Sequence, residues 1–318
     1  MSNPRRSRRQ PRAGKRSDLD ANASSHPHRR AAQKTIHRGK SHEPESSTEF
    51  QAKRHLVRSG RVPIAADICG NGEAIVFLHG MGGDRSNWRA QLEHFRKSYL
   101  AISIDCRGYG NSGDYPGPFR YIDAARDVIS VLNACEVPAA HIVGLSMGGR
   151  IALKLYDRSP DRVRSLVLCS ATARFAPTLS MNRRAEMLHE AQRPWQEAGS
   201  RRVLAERLAS RLCSPHAAVN ARKIVAASLI NLRVKNYLKA VASLLRYDQD
   251  STLPMISIPT LVMAGEDDLA VTPEIATALA RQIRTARMVI VKNAGHIINL
   301  DQPDAFNRHL AEFLVKRP

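Results

Sequence analysis

Aromatic residues make up only 5% of this 318-residue chain, and cysteine occurs five times, at Cys69, Cys106, Cys135, Cys169 and Cys213. The cysteines are odd in number and never in C-x-x-C spacing, which argues against a disulfide framework and a zinc ribbon. Several lie inside apolar strand or helix patterns, where a thiol acts as a small hydrophobe, so the chain reads as a reduced, cytoplasmic protein. No apolar run approaches the roughly 18 residues that a membrane helix needs, and no membrane insertion is expected. Acidic residues are also scarce: 29 Asp and Glu stand against 49 Lys and Arg, a net charge of +20. The body has no zinc-finger, helix-turn-helix or aromatic stacking pattern, and Trp88 and Trp195 are isolated. The charge alone therefore does not make a nucleic-acid reader.

Residues 1–52 lack apolar periodicity and carry basic clusters at Arg5-Arg6, Arg8-Arg9, Lys15-Arg16 and Arg29-Arg30. Such a segment cannot bury enough surface to offset its ordering entropy, so a disordered tail is expected. A solubilising role is the favoured reading, ahead of contact with nucleic acid or an acidic surface. No apolar segment follows the arginines, so a twin-arginine export signal is not expected, and no amphipathic helix supports a transit peptide. His26, His28, His37 and His42 have no metal-ligand partner set.

From residue 53 onward, strand and helix patterns alternate. Strand-forming sequence is expected over 55–68 with a break at Ser59-Gly60, then over 74–78, 100–105, 141–145, 163–169, 260–263 and 287–291. Helices are expected around 87–97, 121–134, after Ser146, after Pro273 and over 303–315. Nearly continuous apolar strands alternating with helices predict an α/β fold, a mostly parallel central sheet with helices on both faces. Between 175 and 250 the strand signal disappears and helix formers take over. That stretch is read as a helical cap insertion between two halves of the core, 53–174 and 251–318. No internal repeat is present, and the oligomeric state is not legible.

The chemistry centres on Gly144-Leu145-Ser146-Met147-Gly148, which follows β-branched apolar residues and opens a helix-forming segment. A strand, a sharp turn and a helix are the setting of a nucleophile elbow. Ser146 is the candidate nucleophile, and the Met147 N–H at the helix start is a candidate oxyanion donor. Two further reactive residues follow strand ends: Asp268 in Gly265-Glu266-Asp267-Asp268, and His296 in Gly295-His296. The Gly-x-x-Asp spacing favours Asp268 over Asp267 as the partner of His296. His79-Gly80-Met81-Gly82 is a glycine-rich loop that follows the strand expected over 74–78. Trp88 and Arg150 are the candidate substrate contacts. No metal-ligand spacing is present, and the chemistry needs no cofactor.

The order Ser…Asp…His, the glycine-rich loop at 79–82 and the Asp105-x-Arg107-Gly108-x-Gly110-x-Ser112 turn together resemble the α/β-hydrolase superfamily over nearly everything after residue 53. The resemblance implies a Ser146–His296–Asp268 triad acting through an acyl-enzyme, with the Met81 N–H of the 79–82 loop joining that of Met147 as oxyanion donor and His79 ordering that loop. The elbow and the Leu244-Leu245-Arg246-Tyr247-Asp248 stretch look like carboxylesterases and 3-oxoadipate enol-lactonases, which implies hydrolysis of a small ester or lactone. Ser146-Met147-Gly148-Gly149-Arg150 is also similar to the pyruvate-eliminating synthase of menaquinone formation, where the arginine binds substrate carboxylate. C–C bond hydrolases share similar elbows, and a catalytically silent receptor or scaffold is the remaining alternative. An anionic substrate is expected from the insertion's arginines Arg183, Arg184, Arg193, Arg201, Arg202, Arg207 and Arg211.

Overall fold

The computed structural model describes residues 52–175 and 179–315. Apart from Ala52, the tail expected over 1–52, with its basic clusters and histidines, lies outside them. A hairpin opens the fold, β1 (Lys53–Ser59) and β2 (Val62–Cys69), reversed at Gly60, where φ is +59°. Then come β3 (Ala74–Leu78), α1 (Arg89–Phe95), β4 (Leu100–Ile104), α2 (Tyr121–Ala134), β5 (Ala140–Leu145), α3 (Met147–Arg158) and β6 (Val163–Cys169). Four helices follow without an intervening strand: α4 (Met181–Glu197), α5 (Arg201–Leu212), α6 (Val219–Ile230) and α7 (Val234–Leu244). The alternation resumes with β7 (Thr260–Gly265), α8 (Pro273–Arg281), β8 (Ala286–Val291), α9 (Ile298–Asp301) and α10 (Pro303–Val315).

The eight strands form one sheet in the order β1-β2-β4-β3-β5-β6-β7-β8. The β1–β2 and β2–β4 pairings are antiparallel and all others are parallel. Strands β3, β5 and β7 are buried along their whole length, as central parallel strands covered on both faces must be. Edge strands β1 and β8 are mostly exposed or half-buried. This is the α/β architecture that the alternation predicts.

Two elements depart from expectation. The helix expected from residue 87 is split, because Asp84 accepts the Ser86 N–H and starts a 3-10 turn over Arg85–Trp88 that α1 then continues. Helix α6 buries one face, Ala221, Val225, Ala226, Ser228 and Leu229, yet its sequence shows no clear stripe, because Val219 and Ala227 are exposed and Ser228 is buried. Helices α6 and α7 rest on loops that follow the carboxyl ends of β3 and β4. Asn87 Nδ2 donates to Ser228 Oγ at 2.9 Å, Arg233 Nε to Gly108 O at 3.1 Å, and Asn236 Nδ2 to Asp114 Oδ1 at 2.6 Å. No helix among the described residues is long and apolar enough to cross a membrane.

Candidate active site

Ser146 sits between the fully buried β5 and the first turn of α3, with φ 52° and ψ −107°. A non-glycine residue at positive φ carries strain of order 1–3 kcal/mol and persists only where its surroundings hold it. The surroundings here are backbone atoms. A Cβ on Gly144 would lie 2.4 Å from Gly148 C and O, and one on Gly148 would lie 2.2 Å from Leu78 O. Both positions must therefore be glycine for the turn to close. Met147 takes the first position of α3, where a helix leaves its N–H without an intrahelical acceptor.

The loop after β3 abuts this turn, with a Cβ on Gly80 falling 3.5 Å from Ser146 Cβ. His79 Nδ1 donates to Gly80 O at 2.8 Å, while its Nε2 accepts the Cys106 N–H at 3.0 Å. Those two partners fix the proton on Nδ1. Gly83 N also donates to Gly80 O, at 3.1 Å. With that carbonyl held from two sides, the planar peptide turns the Met81 N–H the opposite way. His79 thus orders the loop from within.

Asp268 and His296 meet after β7 and β8. The His296 Nδ1–H lies 2.9 Å and 3.1 Å from the two carboxylate oxygens of Asp268, which leaves Nε2 as the acceptor nitrogen. Asp268 is buried and also accepts the N–H groups of Ala270 and Val271. Burial alone would raise its carboxyl pKa, but the His296 bond and charge and these two N–H groups outweigh it and hold the pKa below the ordinary value. Asp267 instead accepts from Ser214 Oγ at 2.5 Å. The glycines explain the close approach, for a Cβ on Gly265 would lie 2.2 Å from Gly295 O. Among the described residues, Ser146 Oγ has no hydrogen bond to His296, although both lie at the carboxyl edge of the sheet.

The two candidate substrate contacts fare differently. Trp88 is fully buried, its ring centroid 5.1 Å from Phe77 and 5.8 Å from Phe306, so it is a core residue rather than a pocket wall. Arg150 is also buried, at 4% exposure, and not on a helix surface. One guanidinium nitrogen donates to Thr172 Oγ1 at 2.9 Å, the group lies 5.9 Å from the Tyr247 ring centroid, and Nε has no partner. The other buried arginine among the described residues, Arg85, pairs with both Asp67 and Asp105, whereas Arg150 has no carboxylate within 4.0 Å. The insertion's arginines do not converge on the site. Arg183, Arg193 and Arg202 pair with glutamates of their own helices, and all but the half-buried Arg184 are exposed. Solvated helix faces account for them.

An apolar cavity of about 20 Å³ lies beside the 80–83 loop, lined by Met81, Leu145, Leu212, Val225, Leu229 and Ile297. A larger open groove of about 930 Å³, walled by residues such as Arg54, Asp67 and Asn111, includes none of Ser146, Asp268 and His296. Burial pushes the Cys106 and Cys169 thiols far up, which disfavours the thiolate form at both. No group of three or more His, Cys, Asp or Glu among the described residues is arranged to hold a metal ion. Two residues outside the motifs also hold the site: Asp301 and Ser214 tie the His296 loop to the end of α5.

A family model described as the alpha/beta hydrolase fold matches residues 73–303. The chain is 29% identical over 247 residues to 3-oxoadipate enol-lactonase 2 of Acinetobacter baylyi, covering 77% of this chain and 89% of that protein. Among solved structures, a thermophilic esterase from Thermogutta terrifontis with malate bound superposes with a TM-score of 0.74 at 26% identity, covering 84% of this chain and 99% of that one. The enol-lactonase from Burkholderia xenovorans gives 0.70 at 27% identity, covering 83% of this chain and all of the other.

Proposed function

The chain belongs to the α/β-hydrolase family, a hydrolase by fold and kinship, and from that premise we propose that it cleaves a carboxylic ester or lactone of a small anionic substrate at Ser146. The observation that carries this reading is the His296–Asp268 pair, its proton fixed on Nδ1, at the same sheet edge as the strained Ser146. In this mechanism Ser146 Oγ attacks the carbonyl carbon while its proton passes to His296 Nε2. Asp268 holds the ring tautomer and stabilises the imidazolium. The tetrahedral oxyanion accepts the N–H groups of Met81 and Met147, each such donor typically worth about 3–4 kcal/mol. The imidazolium returns the proton to the leaving alkoxide, and water then releases the acyl group by the same steps in reverse. The serine–imidazole hydrogen bond, not made in the free protein, forms in the substrate complex.

Helices α4–α7 act as the cap over this edge. Arg150 supports the anionic part of the reading, because a buried guanidinium without a carboxylate is a ready partner for one brought by substrate. The likeness to enol-lactonases, and to an esterase whose structure holds malate, supports a carboxylate-bearing substrate.

A fluorophosphonate should label Ser146, read by mass spectrometry, and Ser146→Ala should lower ester turnover by about 10⁶. Labelling elsewhere, or activity that survives the substitution, would end the proposal. Matched esters with and without a distal carboxylate test the anionic part. Arg150→Met should weaken the specificity constant for the charged ester about 10- to 100-fold, the range of one charge-assisted bond, and the neutral ester much less.

A further inference from the structure

Buried carboxylates persist where backbone donors or cations satisfy them. Asp301, the last residue of α9, is 5% exposed and lies outside every motif of the site. Its Oδ2 accepts two backbone N–H groups, each at 2.8 Å, from Gly295 beside His296 and from Ser214 just beyond α5. Ser214 is fully buried and donates its hydroxyl to Asp267, the neighbour of Asp268. The His296 N–H itself donates to Leu212 O, the last residue of α5, at 2.8 Å. A Cβ on Gly295 would lie 2.7 Å from Ser214 N, so the two segments touch backbone to backbone. Arg222 closes the turn from the far side by donating to Ser214 O and Pro215 O.

We propose that Asp301 and Ser214 latch the helical insertion to the loop that carries His296, making Asp301 a positioning residue for the catalytic base. The proposal rests on the hydrolase reading above. The loop holding the base follows β8, an exposed edge strand with a neighbour on one side only. Its rigidity therefore has to come from elsewhere, and the end of α5 supplies it through Leu212 O and the shared Asp301 oxygen. Asp301 never touches the substrate. Its effect is to keep the imidazole aimed between Asp268 and Ser146, where a displacement of about 1 Å can cost 10²-fold in rate.

Three proteins test this: the full-length parent, Asp301→Asn and Asp301→Ala, with 4-nitrophenyl acetate as substrate. The alanine variant should lose about 10- to 100-fold in kcat with KM nearly unchanged. The asparagine variant keeps one oxygen that accepts both N–H groups, but a neutral amide accepts more weakly than a carboxylate, so its loss should be smaller, about threefold to tenfold. A substrate-free readout accompanies the kinetics: the downfield proton resonance of His296 Nδ1–H, assigned by its disappearance in Asp268→Asn. It should broaden in the same graded order as solvent gains access. Parental kcat and an undisturbed resonance in either variant would overturn the latch. Equal losses in both would assign the effect to charge and overturn it too. Should the alanine variant fail to fold, the asparagine variant decides alone. Because the resonance needs no substrate, a Ser146→Ala variant with full activity would sink the hydrolase reading separately.

Discussion

At the scale of single residues, the strain at Ser146 predicts a trade between stability and chemistry. Ser146→Ala keeps a Cβ at φ 52°, whereas Ser146→Gly removes it. Both should be inactive, but the glycine variant should be the more stable by on the order of 1 kcal/mol in denaturant unfolding. Equal midpoints would mean that the turn is relaxed. Asp268→Asn should lower turnover on the order of 10⁴ by leaving the imidazole in the wrong tautomer. Asp267→Asn should keep most of it, since an amide oxygen can still accept from Ser214. Steady-state kinetics of the pair checks the assignment, and the reverse order would refute it. This part of the site was legible because glycine spacing encodes closeness: Gly265 and Gly295 are small where their backbones touch. Asp301 was not. It reads as an acid near the start of the last helix, and its partner Ser214 lies 87 residues away with no periodicity linking them.

Elements were readable where one periodicity ruled. Helices α2 and α10 run over the spans their apolar stripes predict, because each lays one face on the sheet. Helix α6 buries one face too, but exposed Val219 and Ala227 and buried Ser228 blur the stripe in its sequence. Trp88 misled for the opposite reason, since a lone tryptophan after a glycine-rich loop could face either a pocket or the core, and Phe77 and Phe306 complete a core cluster. The elbow as an element predicts a contrast between two glycines. Gly148→Ala forces a methyl against Leu78 O and should cost about 1–3 kcal/mol as well as activity. Gly199→Ala, between α4 and α5, meets nothing within 4 Å and should be neutral or stabilising by about 0.4–1 kcal/mol. Thermal unfolding of both distinguishes a turn held by contact from one that is merely flexible, and matching midpoints would contradict the packing argument.

Across the whole molecule, the two ends of the sheet do different work. The reactive groups gather at the carboxyl ends of the strands, while His141 is buried near the amino end of β5, its Nδ1 2.7 Å from Ser165 Oγ. Burial, with Arg164 adding repulsion, pushes His141 down to about 4 from the usual 6.5, despite Glu73 at 3.7 Å. The unfolded chain therefore binds a proton that the folded one refuses between those pH values. Stability should be intact above about 6.5 and fall progressively toward pH 4, by about 3 kcal/mol in all. Urea unfolding at several pH values should show that slope, and His141→Gln should flatten it; an unchanged slope would place the sensor elsewhere. The bond from His296 N to Leu212 O has a different reach. The α4–α7 run, unbroken by any strand, invites exchange as though it were a cassette. Here a transplant cut at the strand boundaries would remove the backbone carbonyl of Leu212 that holds His296. A chimera of this protein must carry residues 212–214 with its own host, or arrive with an equivalent brace, before altered selectivity can be told from lost turnover.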